Sequence, residues 1–274
     1  MSITSIPVSS QAGAAPQPNR HQWLLLLGLI YLMLVAVSVI GNGFQAMTAG
    51  HAESLFQFAE NPVTGLIIGI LATALIQSSS TVTSIIVAMV AGGLPITLAV
   101  PMMMGANVGT SITNTIVSMG HIKNADEYRK AFQAATIHDI FNLMAVIIFL
   151  PLEIMFNLLE KISGVLVSWM HSDEVLEVGG FNPIKAVTSP VSKQLESMLS
   201  GLSSGFAGAL MIAAGIILII LSITYLGKIM KALMVGKAKA LLYSSIGRGP
   251  VSGIASGTAV TVLVQSSSTT TSLM

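Results

Sequence analysis

The densest chemistry in this sequence sits in two copies of one pentapeptide: Gln77, Ser78, Ser79, Ser80 and Thr81, and again Gln265, Ser266, Ser267, Ser268 and Thr269. Their amide and hydroxyl groups are neutral donors for the oxygens of an oxyanion, and their own oxygens suit a hard cation. Residues 65–86 align without gaps on residues 253–274, and half of the aligned positions are identical, among them Gly65 with Gly253, Gly69 with Gly257 and Thr73 with Thr261. Agreement of that extent marks a duplication. A second polar cluster, Asn107, Thr110, Ser111, Thr113 and Asn114, lies where Pro101, Gly105 and Gly109 weaken a helix. Carbonyls and hydroxyls exposed by such an interruption suit a cation. The third feature is Asp139, an ionisable residue between AATI and IFNLMAVIIFL. At membrane depth such a residue is costly unless it faces the protein interior and finds a partner.

The elements that must position these groups are membrane helices. Of 274 residues, 53% are hydrophobic and only 8% charged, where a soluble domain carries roughly a quarter charged. A net charge of +1 leaves no basic excess for nucleic acid, and the absence of cysteine removes disulfides, thiolate metal sites and thiol catalysis. Apolar stretches cover about residues 23–40, 63–91, 94–119, 131–150 and 206–227, and another starts near Gly253. Trp23 suits an interface. Lys228, Lys231, Lys237, Lys239 and Arg248 stand without an acid, which places that loop inside, whereas acids dominate residues 153–205, which places that segment outside. Arg20 ahead of the first span puts the amino terminus inside. One topology satisfies every loop only if residues 63–91 leave on the side they entered. About twelve residues precede Gln77 in that stretch, roughly 18 Å of helix, so the first QSSST lies deep in the membrane at a helix break. The two copies enter from opposite sides. This is an inverted-topology repeat, the arrangement in which secondary transporters bind substrate and ions near the midplane. The expected fold is an all-α polytopic membrane protein whose repeats each carry a re-entrant helical hairpin with QSSS and interrupted transmembrane helices. Duplication also predicts that the second copy continues past Met274, which makes the sequence an amino-terminal fragment.

QSSSTVTSIIVAMV from Gln77, PMMMGANVGTSITNTIVS from Pro101 and AFQAATIHDIFN from Ala131 together resemble the type II sodium-dependent phosphate cotransporters, and the short cysteine-free outer segment resembles their bacterial members. The resemblance implies sodium-coupled import of inorganic phosphate across the plasma (inner) membrane by alternating access, with sodium as the coupling ion and no other cofactor. It assigns phosphate to Gln77, Ser78, Ser79, Ser80, Gln265, Ser266, Ser267 and Ser268. Sodium candidates are Thr81, Asn107, Thr110, Ser111, Thr113, Asn114, Asp139, Gln265 and Thr269. It divides the chain into a mobile cytoplasmic tail (1–22), a first transport repeat (23–152), an extracytoplasmic linker (153–205) and the start of a second repeat (206–274). In this family an Asp at the position of Asp139 distinguishes electrogenic members from electroneutral ones with Gly, which implies that net positive charge moves with phosphate here. The predicted membrane stretches hold no Lys or Arg to balance the anion. Sodium must then supply that charge, which is a physical reason for coupling.

Plainer readings stand beside these. Ser and Thr in membrane helices often bond only the preceding turn, and Gly65 and Gly69 can serve close packing as well as shaping the start of the hairpin. Asp139 can pair with His138 or a backbone amide, His138 itself is a structural candidate, and Asn142 is open as a helix-packing residue. The sixteen methionines are flexible filler. Two other functions compete with transport: a channel built from paired hairpins, and an intramembrane serine hydrolase. The hydrolase lacks a GxSxG elbow, so the protein is read as a non-enzyme.

Overall fold

The computed structural model describes residues 20–49, 61–120, 122–170, 183–245 and 249–264, and every regular element among them is an α-helix. In chain order these are α1 (Arg20–Thr48), α2 (Pro62–Ile76), α3 (Ser79–Ala91), α4 (Ile96–Met119), α5 (Ala125–Phe156), α6 (Leu158–Met170), α7 (Pro183–Met198), α8 (Ser204–Ser245) and α9 (Pro250–Val264). Four of them contain windows long and apolar enough to cross a membrane: His21–Thr48, Ile96–Ile116, Ala125–Phe156 and Ser204–Met230. The molecule is an all-α membrane protein. Helices α2 and α3 are equally apolar but have 15 and 13 residues, about 20 Å each, short of the ~30 Å hydrocarbon core.

The chain divides into two compact units, Tyr31–Ile223 and the segments 1–30 with 224–274. In the smaller, Lys228 Nζ lies 5.2 Å from the centroid of the Tyr225 ring, and α9 buries Ser256 and Val260. In the larger, α1 meets α8 through glycine: a Cβ on Gly43 would lie 2.8 Å from Gly208 O and from Met211 Cβ, and one on Gly215 would strike Ile40. Low residue numbers on α1 face high ones on α8, so the two run antiparallel. Helix α7 runs beside α1 in the same direction, with Tyr31 Oη donating to Val187 O at 3.3 Å and Ser38 Oγ to Ser192 Oγ at 3.3 Å. The segment read as an outer linker therefore includes a helix packed along the first span. Phe44 of α1, Val82 and Ile86 of α3, and Leu98, Met102 and Ala106 of α4 form the core around which α2 and α3 are held.

One expectation changes. The stretch read as interrupted at Pro101, Gly105 and Gly109 is a single α-helix of 24 residues. Its glycines serve contact rather than breakage: a Cβ on Gly105 would overlap Leu66 O, and one on Gly109 would lie 2.6 Å from Thr73 Cβ. Packing against α2 repays the propensity that glycine and proline cost the isolated helix.

Candidate functional site

The first QSSST forms the break between α2 and α3. Asn61 caps the start of α2, its Oδ1 accepting from Val63 N at 3.0 Å, with Pro62 in the first turn. The helix ends at Gln77, whose backbone is left-handed (φ 58, ψ 27) and whose N–H donates to Thr73 O at 2.8 Å. An L-residue there costs about 1–2 kcal/mol. Gln77 Nε2 turns back to donate to Ala74 O. Ser78 is extended (φ −153, ψ 103) and caps α3, its Oγ accepting from Thr81 N at 3.3 Å and lying 2.9 Å from Thr81 Oγ1. Ser79 and Ser80 thus occupy the first turn of α3, where backbone amides have no partner one turn back and the helix dipole favours an anion. Gln77 and Ser80 are exposed, Ser78 and Ser79 half-buried, and Thr81 buried.

Close helix contact fixes where this break lies. A Cβ on Gly65 would press on Leu98 and Pro101, and one on Gly69 would overlap Met102 O. Gly65 faces Pro101 and Thr73 faces Gly109, a shift of 36 positions in both cases, so α2 and α4 run parallel in constant register. Continued one turn, that register brings Gln77 level with Thr113 and Asn114. Thr73 is fully buried, and its Oγ1 has no hydrogen-bond partner among the described residues.

At the same level α4 meets α5 through a polar ladder. Asn142 Nδ2 donates to Ser111 Oγ at 2.8 Å and to Asn107 O at 3.2 Å, with His138 Nε2 at 3.4 Å. The other ring nitrogen of His138 lies 3.1 Å from Asn114 Nδ2. Thr115 Oγ1 donates to Asp139 Oδ2 at 2.8 Å. Partners rise along α4 as they fall along α5, so these helices are antiparallel. Asp139 Oδ1 is buried without a hydrogen-bond partner among the described residues. A carboxylate oxygen is an acceptor, so Oδ1 is an open acceptor position in the site. No three His, Cys, Asp or Glu side chains gather among the described residues. The ladder's chemistry of one carboxylate, hydroxyls and amides suits a hard cation rather than a soft one.

The structure therefore joins Asn107, Ser111, Asn114 and Asp139 in one ladder. Asp139 pairs with Thr115, not with His138 or a backbone amide. Thr110 bonds only its own helix, donating to Ala106 O at 3.1 Å, which is the plain reading for that residue. The side chain of Thr113, and Gln265, Ser266, Ser267, Ser268 and Thr269, lie outside the described residues. Sequence reasoning missed Thr115 and left Asn142 open. The available signal was spacing: 107, 111, 114 and 115 share one helical face, as do 138, 139 and 142.

The profile described as Na+/Pi-cotransporter matches residues 32–168, half of the chain. The chain belongs to the Na+/Pi-cotransporter family. That match contains the QSSST break and the whole α4–α5 ladder. Sodium-dependent phosphate transport protein 2B of Homo sapiens is 40% identical over 174 residues, 62% of this chain and 25% of that protein. Sodium-dependent phosphate transport protein 2A of Rattus norvegicus is 40% identical over 175 residues, 62% and 27%, and that of Mus musculus 43% over 148, 53% and 23%. The Na+/Pi-cotransporter chain here spans about a quarter of the length of the curated relatives it matches. No solved structure matches it.

Proposed function

We propose that this chain belongs to a sodium-coupled phosphate symporter working by alternating access, in which residues 63–91 form a re-entrant hairpin and residues 253–274 belong to its inverted counterpart. The observation that carries this reading is the level shared by two features: the Ser78-capped start of α3 and the ladder ending in the unpaired Asp139 Oδ1. Phosphate is held by the amides of Ser79 and Ser80 with the side chains of Gln77 and Ser78, and by Gln265, Ser266, Ser267 and Ser268 from the second copy. Sodium is held by Asp139 with Thr115, Asn142 and Ser111, while Thr81, Asn107, Asn114 and, from the second copy, Gln265 and Thr269 complete or flank cation positions. No Lys or Arg stands in α2, α3 or α4, and Arg129 and Lys130 of α5 lie more than two turns from Asp139, so the cation carries the compensating charge and the two solutes bind together. The cation held at Asp139 adds to the charge carried, so net positive charge accompanies each phosphate. The amino terminus and the Lys-rich segment 228–248 face the cytoplasm, the acid-rich stretch from Glu153 up to α7 belongs to the outer side, and the membrane is the plasma membrane.

The experiment is uptake of labelled phosphate into proteoliposomes holding the full-length polypeptide, with an inward sodium gradient against equimolar choline. Accumulation above equilibrium that requires sodium is the expected result. Sodium-independent equilibration would instead establish a channel, and absence of uptake would remove phosphate as the substrate.

A further inference from the structure

Helix α6 is built the wrong way round for a helix surrounded by water. Its 13 residues, about 20 Å, are too few to cross a bilayer. Ile162, Val165, Leu166 and Trp169 recur at the spacing of one helical face, yet that face lies open: the first three are about half exposed and Trp169 is 81% exposed, and Gly164, Val167 and Ser168 on the other side are exposed too. Ser163, by contrast, is half-buried, its Oγ donating to Glu160 O at 2.8 Å. A second exposed apolar surface precedes it in the chain. At the end of α5, Ile154, Met155 and Phe156 are exposed in the same way, following the exposed Ile147 and Ile148 of the membrane span.

The turn between the two helices is fixed. Asn157 is left-handed (φ 49, ψ 46) and donates its N–H to Glu153 O at 2.8 Å. Glu153, 4% exposed, caps α6 with its carboxylate, accepting from Leu159 N at 2.6 Å and from Glu160 N at 3.3 Å. A carboxylate on the first amides of a helix is a strong, charge-assisted cap. The angle at which α6 leaves α5 is thus held by buried contacts.

We infer that α6 is a membrane-interface helix: it lies along the bilayer surface at the end of α5, its Ile162–Val165–Leu166–Trp169 face buried among lipid acyl chains. The occupant is lipid because α6 starts two residues after the membrane span of α5, whose last residues Ile154, Met155 and Phe156 are exposed and apolar. Tryptophan at one end and Lys161 at the edge of the face suit the headgroup layer, the ring lying at the interface and the ammonium reaching outward from its apolar stem. The inference does not rest on what the protein carries.

The cysteine-free sequence makes the test direct. Single cysteines at 162, 165, 166 and 169 on the apolar face, and at 164 and 168 on the other, are spin-labelled in the full chain in phosphatidylcholine vesicles. Collision rates with oxygen, which partitions into lipid, are compared with those of a water-soluble nickel chelate. Oxygen should exceed the chelate several-fold at the first four positions, with the ratio reversed at 164 and 168. High chelate collision at all six would make α6 an aqueous segment and overturn the inference. Low collision with both reagents, with broadening between labels, would show that a second copy covers the face and would equally overturn it. A label-free check is Trp169 fluorescence in the Trp23→Phe chain. Quenching by lipids brominated near the headgroup is expected to exceed that by lipids brominated near the chain end. Quenching by iodide alone would refute interface burial.

Discussion

Asp139 gives one carboxylate oxygen to Thr115 and leaves the other buried without a partner. A buried acceptor in that state is costly unless a cation or donor joins it, so removal of the side chain should change what is transported rather than whether the helix forms. For Asp139→Gly, simultaneous recording of current and labelled phosphate flux should show about one positive charge fewer per phosphate. An unchanged ratio would detach Asp139 from charge movement. Thr115 orients that carboxylate through a single hydroxyl, which separates two substitutions of similar size. Thr115→Val should raise the sodium concentration for half-maximal uptake about tenfold, the equivalent of one hydrogen bond to a charged group, whereas Thr115→Ser should stay near the parent value. Equal losses in both would assign Thr115 to packing alone.

At the scale of elements, the break between α2 and α3 sets shape against function. Gln77 holds a left-handed backbone that glycine adopts without penalty. Gln77→Gly should leave thermal stability in detergent unchanged or improve it by about 1 kcal/mol, while sodium-driven uptake is lost with the side chain. Destabilisation together with lost uptake would instead make Gln77 a structural residue. The α2–α4 crossing makes the opposite demand on glycine. A Cβ at Gly105 has backbone in its path, so Gly105→Ala should cost about 3 kcal/mol by overpacking. Gly28 on α1 has open space around it, and Gly28→Ala should gain about 1 kcal/mol from helix propensity. Melting both variants in one detergent checks the contrast. The same crossing answers the question that Gly65 and Gly69 raise in the sequence: both serve close approach to α4.

For the whole molecule, charge distribution predicts sidedness. Single cysteines at positions 172 and 239, in the acid-rich and Lys-rich segments, should react with a membrane-impermeant maleimide from opposite sides of sealed vesicles. Labelling of both from one side would refute the inverted arrangement. Family membership covers residues 32–168, so the QSSST break, the ladder and nearly all of α6 stand on common ground with the sodium-dependent phosphate transport proteins, whereas α7, α8 and α9 lie beyond that match.

The sequence by itself determined the solvent of this protein, the positions of its long spans, the break at Gln77 and Ser78, and the singular place of Asp139. These follow from composition, from the length of apolar runs and from residue types that act within a few positions of themselves. Only the tertiary structure decided that α4 stays unbroken through Pro101, that Thr115 pairs with Asp139 and Asn142 with Ser111, that α7 lies along α1, and that α6 leaves its apolar face exposed. The first three depend on pairing residues tens to more than a hundred positions apart, whereas the turn into α6 is set by Glu153 six and seven positions ahead of the amides it caps. Such registers are fixed by the summed fit of whole helix surfaces, and no local pattern of side chains encodes which neighbouring surface a helix will meet.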